Sequence, residues 1–519
     1  MLPARLTASD LAALLGYLAA VLGMSVWIAW RQKSGTDYFL AARSMGGAPL
    51  AMSILANQVS AVSLIGAPAF VALRPGGGLA WLQYELALPL AMVAVIHLLL
   101  PRLRSVRGAS IYEFLEQRCG LWARRVLAAA FLLSRGLALG VILYASSLVM
   151  ATVFEISNDA AILLVGFFSV AYTSLGGIVA DIWSDLLQLV VLWAGTIAAC
   201  GFVLFRHGFA LVEAVPAGRM AALRLDSAGV GAGNDFAFLP MFLGGLFLYA
   251  SYYGCDQSQA QRLLTAKSDG AARQALLWNG LLRFPLVLTY CFLGVLLAGL
   301  LKTDAGFAAA MSGRPADSLV PVFITEYLPG GLRGIFIAAI FAAAMSSIDS
   351  ALNSLAAVTL DDVFRYPPDR QTVWLSRGVS LAWGIFAVMA GLAFARSRGG
   401  VIELINQIGS AVYGPVLAVF LIGALFRGVS SRAVVPAFAA GLSVNLLAAW
   451  LTPVSWLWWN PLGFLVTGGL ALWAPGRKWD FRAGQDRAAA RVLLAATLVI
   501  LLFLAALTAL AASRAGNAS

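Results

Sequence analysis

Apolar runs long enough to cross a bilayer recur about fourteen times along the 519 residues, and no other feature restricts the fold so strongly. A spanning helix needs ~20 residues at a rise of about 1.5 Å each. The runs lie at 9–30, 48–74, 78–100, 123–154, 159–178, 183–205, 236–255, 275–301, 331–356, 373–395, 401–426, 432–451, 455–474 and 490–512. The two-residue alternation of a membrane β-barrel is missing. The chain therefore reads as an all-α integral membrane protein. Composition agrees: 61% of residues are hydrophobic and 11% charged, against ~25% charged in soluble domains. The apolar bulk also excludes a disordered chain. The first run lacks a small-residue cleavage site and ends in Arg31-Gln32-Lys33, so it reads as a retained span rather than a signal peptide.

A net charge of +11 would suggest nucleic acid in a soluble protein. Here it reflects Lys and Arg kept on the cytoplasmic side of a cell membrane. With the N-terminus outside, the inside loops hold 22 of the 35 basic residues and the outside segments 11. This two-to-one bias predicts an external N-terminus and, with fourteen spans, an external C-terminus. Four cysteines without paired spacing argue against a disulfide framework. Two histidines, His97 and His207, argue against a His-based metal centre. The longest hydrophilic stretch, near 206–235, carries no readable motif. No G-x-x-x-x-G-K-[ST] exists, which removes nucleotide as a partner. A channel or a gradient-driven carrier remains.

Polar groups inside spans carry the functional information, because a charge at a helix centre costs at least ~2.5–3.5 kcal/mol and seeks a cavity or a partner. The second run reads Ala56-Asn57-Gln58-Val59-Ser60-Ala61-Val62-Ser63, followed by Gly66 and Pro68. This is the composition of an interrupted helix whose freed carbonyls can hold a cation. A tightly packed small-residue interface is the alternative. In the ninth run, Ser346, Asp349, Ser350 and Asn353 share one helical face. Hydroxyl and carboxylate oxygens suit a hard cation such as sodium; serines back-bonding to their own helix would leave Asp349 unexplained. At the start of the sixth run, Asp181, Asp185 and Gln188 line one face. Asp181 reads as a helix cap, and the deeper Asp185 as a ligand. Arg135 lies about ten residues into the fourth run. It is the counter-charge for an anionic substrate, half of an internal pair, for example with Asp349 or Glu85, or a side chain snorkelling toward the cytoplasm.

These motifs resemble the sodium:solute symporter family over nearly the whole chain. Asp37-Tyr38-Phe39-Leu40-Ala41-Ala42-Arg43-Ser44 is similar to the family's D-Y-F-L-A-G-R-S stretch, and Tyr172-Thr173 through Gly176-Gly177 to its Y-T-x-x-G-G segment. Asp256-Gln257 through Gln261-Arg262 is similar to its D-Q-x-x-x-Q-R cytoplasmic loop, and Ser346-Ser347 to Asn353-Ser354 to its paired serines and L-N-S. Tyr413-Gly414-Pro415 with Phe420 and Gly423 is similar to its Y-G-P helix.

The resemblance implies a LeuT-like core of two inverted five-helix repeats at about 48–205 and 236–426, with peripheral helices in 1–47 and 427–519. It implies a second helix break at Gly244-Gly245. It also implies a sodium site formed by the carbonyls of Ala56, Val59 and Ala343 and the hydroxyls of Ser346 and Ser347. A second sodium would draw on Asp185, Ser346, Ser350 and Asp349. Ser60, Ser63, Gln83 and Arg135 are the substrate-binding candidates. The expectation is a sodium-coupled importer of a small organic solute in a lipid bilayer, without covalent chemistry or another cofactor. A carboxylate such as sialic acid or a monocarboxylate is the expected cargo. A neutral sugar or polyol is the alternative within the family, and an ion channel or sensor on a transporter core the alternative outside it.

Overall fold

The computed structural model describes residues 6–29, 40–106, 108, 110–230, 235–366, 372–396, 400–473, 477–480 and 486–517. Asp37, Tyr38 and Phe39 lie outside the described residues, as do the side chains of 170–177. The spanning helices in chain order begin with α1 (Ala8–Ala29). A broken pair follows, α2 (Gly47–Gln58) and α3 (Ala61–Ala72). Next come α4 (Leu79–Leu103) and, after a short α5 (Tyr112–Cys119), α6 (Leu121–Phe154). A helical run of 50 residues, α7 (Asn158–His207), is followed by α8 (Phe238–Cys255), the short α9 (Gln257–Leu264) and α10 (Asp269–Thr303). The chain continues through α11 (Leu332–Val358), α12 (Val373–Phe394), α13 (Val401–Leu425), α14 (Ser431–Leu451), α15 (Trp459–Leu472) and α16 (Arg487–Asn517). One two-residue antiparallel pairing, Phe426–Arg427 with Lys478–Trp479, ties the segment after α13 to the segment before α16.

Among the described residues, eleven helices are long and apolar enough to span, or up to twelve if α2 and α3 form one bent span. The difference from fourteen apolar runs has two sources. The runs at 159–178 and 183–205 belong to one helical stretch, Asn158–His207, which enters the count once, as Ile178–His207. The run at 455–474 yields a helix of 14 residues, about 21 Å at 1.5 Å per residue and short of the hydrocarbon core.

Burial sorts the helices into layers. In α11 the apolar window is 89% buried, whereas in α16 it is 17% buried. α11 is thus the central post, packed against both α7 and α6. Its small residues Ala342, Ala343, Ala344, Ser346 and Ser347 permit that close approach.

The second span is interrupted, as its composition predicts, but not at its Gly and Pro. α2 ends at Gln58, Val59 and Ser60 leave helical geometry (Ser60 φ −89°, ψ 175°), and α3 resumes at a bend of 55°. Gly66 and Pro68 lie within α3. Gly66 sits where a Cβ would come within 2.9 Å of the Ile402 Cβ, so its role is close packing.

The second break, by contrast, is displaced from expectation. Gly244-Gly245 lies inside the continuous α8, where a Cβ on Gly245 would stand 3.0 Å from the Tyr84 carbonyl oxygen. The helix stops instead at Asp256, whose backbone is extended and whose Oδ1 caps α9 by accepting the Ser258 amide at 2.9 Å. The segment 256–262 is therefore a buried helix rather than an exposed cytoplasmic loop: every residue of α9 is buried.

Candidate functional site

Two polar centres adjoin the break in the second span. The first is built on carboxylates. Asp185, on α7, accepts a hydrogen bond from Ser346 of α11 and another from Ser53 of α2. Arg262 of α9 reaches the same carboxylate, with Nη2 2.9 Å from Oδ2, and lies 3.0 Å from Asp181 Oδ2. Its Nε donates to Ser53 Oγ at 2.7 Å, its Nη1 to the Ser258 carbonyl at 2.8 Å, and its Nη2 also to Ser350 Oγ. All of these side chains are buried. A buried guanidinium is tolerated only when its donors are matched, and here each nitrogen is used.

This geometry revises the reading of several residues. Asp181 is not a helix-entry cap: it lies inside α7 and pairs with Arg262. Ser350 Oγ stands 3.2 Å from Asp181 Oδ1 and also donates to its own helix at the Ser346 carbonyl, 2.6 Å away. Asp349 projects from the same buried helix, within electrostatic reach of Tyr17 on α1. Arg262 itself was invisible as a site residue, because it follows a span in a hydrophilic stretch and counts as a loop charge. The Asp256-x-Ser258 cap is the local signal that a helix begins there.

Ser347 belongs to the break itself. Its Oγ donates to the Asn57 carbonyl at 3.0 Å, tying α11 to the last turn of α2. The Ala56 carbonyl accepts the Val59 amide at 3.1 Å as the helix ends. The chain therefore brings Ser346 and Ser347 of α11 against Asp185 and the interrupted backbone, respectively.

The second centre is a cavity of about 110 Å³. Asn57, Ser60 and Ser63 from the break line it, with Arg135 of α6, Tyr249 and Tyr252 of α8, Arg283 and Tyr290 of α10, Ser347 of α11 and Tyr413 of α13. Arg135 is buried, its guanidinium 5.5 Å from the Tyr252 ring centre and its Nη2 3.5 Å from the Tyr252 hydroxyl. Its Nε has no hydrogen-bond partner. Among the described residues neither Asp349 nor Glu85 forms an ion pair with it: Glu85 is taken by Arg283, 3.3 Å away, and by the Tyr249 hydroxyl at 2.7 Å. Gln83 does not line the cavity. Its amide nitrogen donates to the Phe236 carbonyl at 2.7 Å and its oxygen accepts the Arg224 backbone amide at 3.2 Å, so it is occupied by the backbone at Arg224 and Phe236.

A helical bundle with an interrupted span beside a cavity lined by polar and aromatic side chains, and a serine of the central helix bonded to the break, has the build of a gradient-driven carrier. Comparison with known proteins gives the class its name. The model of the sodium:solute symporter family matches residues 38–443, and the chain belongs to that family. It is a sodium-coupled solute symporter, a multi-pass membrane protein and not an enzyme. It is 32% identical over 436 residues to the putative sodium-dependent multivitamin transporter of Drosophila melanogaster, covering 78% of this chain and 69% of the relative. It is 27% identical over 445 residues to sodium-coupled monocarboxylate transporter 1 of Xenopus laevis, covering 84% and 70%. It is 26% identical over 442 residues to the human sodium/iodide cotransporter, covering 82% and 67%. Among solved structures, a substrate-bound, outward-open Na+-coupled sialic acid symporter superposes with a TM-score of 0.80 at 22% identity, covering 91% of this chain and 99% of that one. MhsT in complex with L-phenylalanine superposes at 0.51 and 13% identity, covering 88% and 99%. The fold is LeuT-like.

Proposed function

We propose that this symporter imports a small organic anion, a carboxylate of the monocarboxylate or sialic acid kind, with Arg135 as the residue that holds the carboxylate. The observation that carries the reading is Arg135 itself: a buried guanidinium lining the cavity, stacked on Tyr252, with an unpaired Nε. A guanidinium offers a carboxylate two parallel N–H bonds. A neutral sugar or polyol would leave that charge unanswered. The monocarboxylate relatives support the same class.

Sodium would bind between the break and α11, through the Ala56, Val59 and Ala343 carbonyls and the Ser346 and Ser347 hydroxyls. Ser347 already bridges to the break, so the ion would replace that hydrogen bond. The second set, Asp185, Ser346, Ser350 and Asp349, has a different occupant to contend with. Arg262 answers Asp185 and Ser350 directly, so a second sodium there requires the guanidinium to leave. The interruption between α2 and α3 supports division of the core into repeats at about 48–205 and 236–426, and the bias of basic residues between loops supports both chain ends being external.

The energetic consequence is large. At ~100 mV each inward positive charge gains ~2.3 kcal/mol, and a tenfold sodium gradient adds ~1.4 kcal/mol per ion. One sodium with one anion leaves ~1.4 kcal/mol, about tenfold accumulation. Two sodium ions leave about 5 kcal/mol, or several thousand-fold. The test is uptake of labelled carboxylates into proteoliposomes with sodium imposed outside, in wild type and Arg135→Gln. Sodium-independent uptake, or acid uptake unaffected by Arg135→Gln, refutes the reading.

A further inference from the structure

The same cavity holds a second guanidinium, and its partners differ from those of Arg135 in a way that bears on the cargo. Arg283, on α10, is buried and lines the cavity. Its Nε reaches Glu85 Oε2 at 3.3 Å, while its Nη1 is buried with no hydrogen-bond partner. Its guanidinium lies 5.9 Å from the ring centre of Tyr249, whose hydroxyl donates to the other Glu85 oxygen at 2.7 Å. Arg135 lies over Tyr252 in the same manner. Tyr249 and Tyr252 are three residues apart on α8, about 4.5 Å of helical rise. One helix thus offers two tyrosine rings on successive turns, and over each lies an arginine from another helix, Arg283 of α10 and Arg135 of α6, both lining one cavity.

Their electrostatic states are unlike. Arg283 is directly neutralised by Glu85. Among the described residues Arg135 has no carboxylate in ion-pair contact; the nearby Asp256 spends Oδ1 on capping α9 and Oδ2 on the Tyr413 hydroxyl, 3.1 Å away. A neutralised guanidinium with a bare N–H is a donor for an uncharged acceptor. A second carboxylate there would meet Glu85 at close range and be repelled.

We propose that Arg283, held by Glu85 and Tyr249, is a second binding pole of the cavity. It takes a neutral hydrogen-bond acceptor of the cargo, an amide or ureido carbonyl or a hydroxyl, so that the preferred substrate is a monoanion with a polar tail rather than a plain fatty acid or a dicarboxylate. This rests on Arg135 holding the carboxylate head.

Four acids of equal chain length separate the possibilities: valerate, 5-hydroxyvalerate, glutaramate and glutarate. Binding is read as stabilisation of the purified full-length protein against heat at saturating sodium. Wild type is expected to bind glutaramate and 5-hydroxyvalerate about tenfold more tightly than valerate, the scale of a hydrogen bond to a charged donor, and to bind glutarate most weakly. Arg283→Gln should collapse the glutaramate-to-valerate ratio to near one. If that variant does not fold, Arg283→Lys keeps the charge opposite Glu85 and withdraws the planar N–H edge, with the same collapse expected. Glu85→Gln, which removes the neutralising charge, should raise the glutarate-to-valerate ratio at least tenfold. If acids bind and depend on Arg135, but the wild-type ratio is already one or survives in both Arg283 variants, the second pole is wrong and the carboxylate reading stands. If none of the four acids binds wild type, both fail.

Discussion

Arg262 Nη2 and Asp185 Oδ2 lie 2.9 Å apart, both fully buried, at the place where the sequence leads one to expect a sodium ion. The guanidinium is a cation supplied by the chain itself. It satisfies Asp181 as well, at 3.0 Å, and joins α9 to α7, α2 and α11 through its contacts with Ser53 and Ser350. Removing one partner of a buried pair typically costs about 3–5 kcal/mol, because the remaining charge is stranded.

Arg262→Gln should therefore destabilise the protein strongly in sodium-free buffer and leave two adjacent carboxylates in need of a cation. Sodium should rescue it more steeply than it stabilises wild type, with an increased Hill coefficient. Thermal unfolding against sodium concentration, using potassium as the control cation, measures this. Parallel sodium curves in the two proteins would mean that Asp181 and Asp185 never accept the ion.

Ser346 and Ser347 are neighbours with different partners, Asp185 for the first and the Asn57 carbonyl for the second. Each Ala substitution is expected to raise the sodium concentration for half-maximal uptake, by the ~1–3 kcal/mol of a lost buried ligand, on the order of 5- to 150-fold. The partners predict a difference in coupling. Ser346→Ala should be non-additive with Asp185→Asn, and Ser347→Ala nearly additive with it. Equal coupling in the two double-mutant cycles, or an unchanged half-saturation in both single mutants, removes the hydroxyls from the ion site.

What the sequence makes legible is local. The interruption near Val59 follows from polar and small residues in an otherwise apolar run, and the serine face of α11 from a spacing of three and four. The family model and the 0.80 superposition agree with the fold that the motifs imply. What stays hidden is non-local. Nothing in Gln257–Leu264 announces that its polar face will be wholly buried, because the carboxylates that receive Arg262 come from a helix some eighty residues earlier in the chain. Gly244-Gly245 reads as a break because glycine weakens helices, yet the pair serves close packing against Leu457 and Tyr84. Gln83 resembles a ligand until the backbone groups of Arg224 and Phe236 occupy its amide.

Outside the spans, Asp317 offers a pH test. It is half-buried, and its Oδ2 accepts the Val401 amide at 3.0 Å at the start of α13. Burial, reinforced by Glu403, pushes its carboxyl up to about 6 against the opposing Val401 hydrogen bond. The folded value lies above the unfolded one, so this contribution to stability is complete below the unfolded value and is lost as pH rises through about 6. Asp317→Asn keeps an acceptor for Val401 and removes the titration. Its melting temperature relative to wild type should climb from pH of about 4 to about 6 and level off above. A difference between the two proteins that does not change with pH would show that Asp317 titrates normally.

Arg135 decides whether the cavity is an anion site. Its guanidinium spans the space between Tyr252 and the cavity, with one nitrogen already unpaired. Lysine would retain the charge but not the planar pair of donors, and could not stack in the same way. Arg135→Lys is therefore expected to weaken carboxylate binding nearly as much as Arg135→Ala, on the order of tenfold or more for a bidentate charge-assisted contact. Sodium-dependent stabilisation measured without substrate should be retained in both variants, since the proposed ion ligands lie on α2, the break after it, α7 and α11, and Arg135 on α6. The informative measurement pairs the two: sodium titration of thermal stability, then acid titration at saturating sodium. Loss of both responses would mean that the substitution disrupts the bundle, and Arg135→Gln, close in size and uncharged, then separates packing from charge. If Arg135→Lys binds acids as well as wild type, a point charge suffices and the planar fork has no role. If Arg135→Ala also retains them, the guanidinium is a packing element against Tyr252, and the carboxylate must be held elsewhere in the cavity.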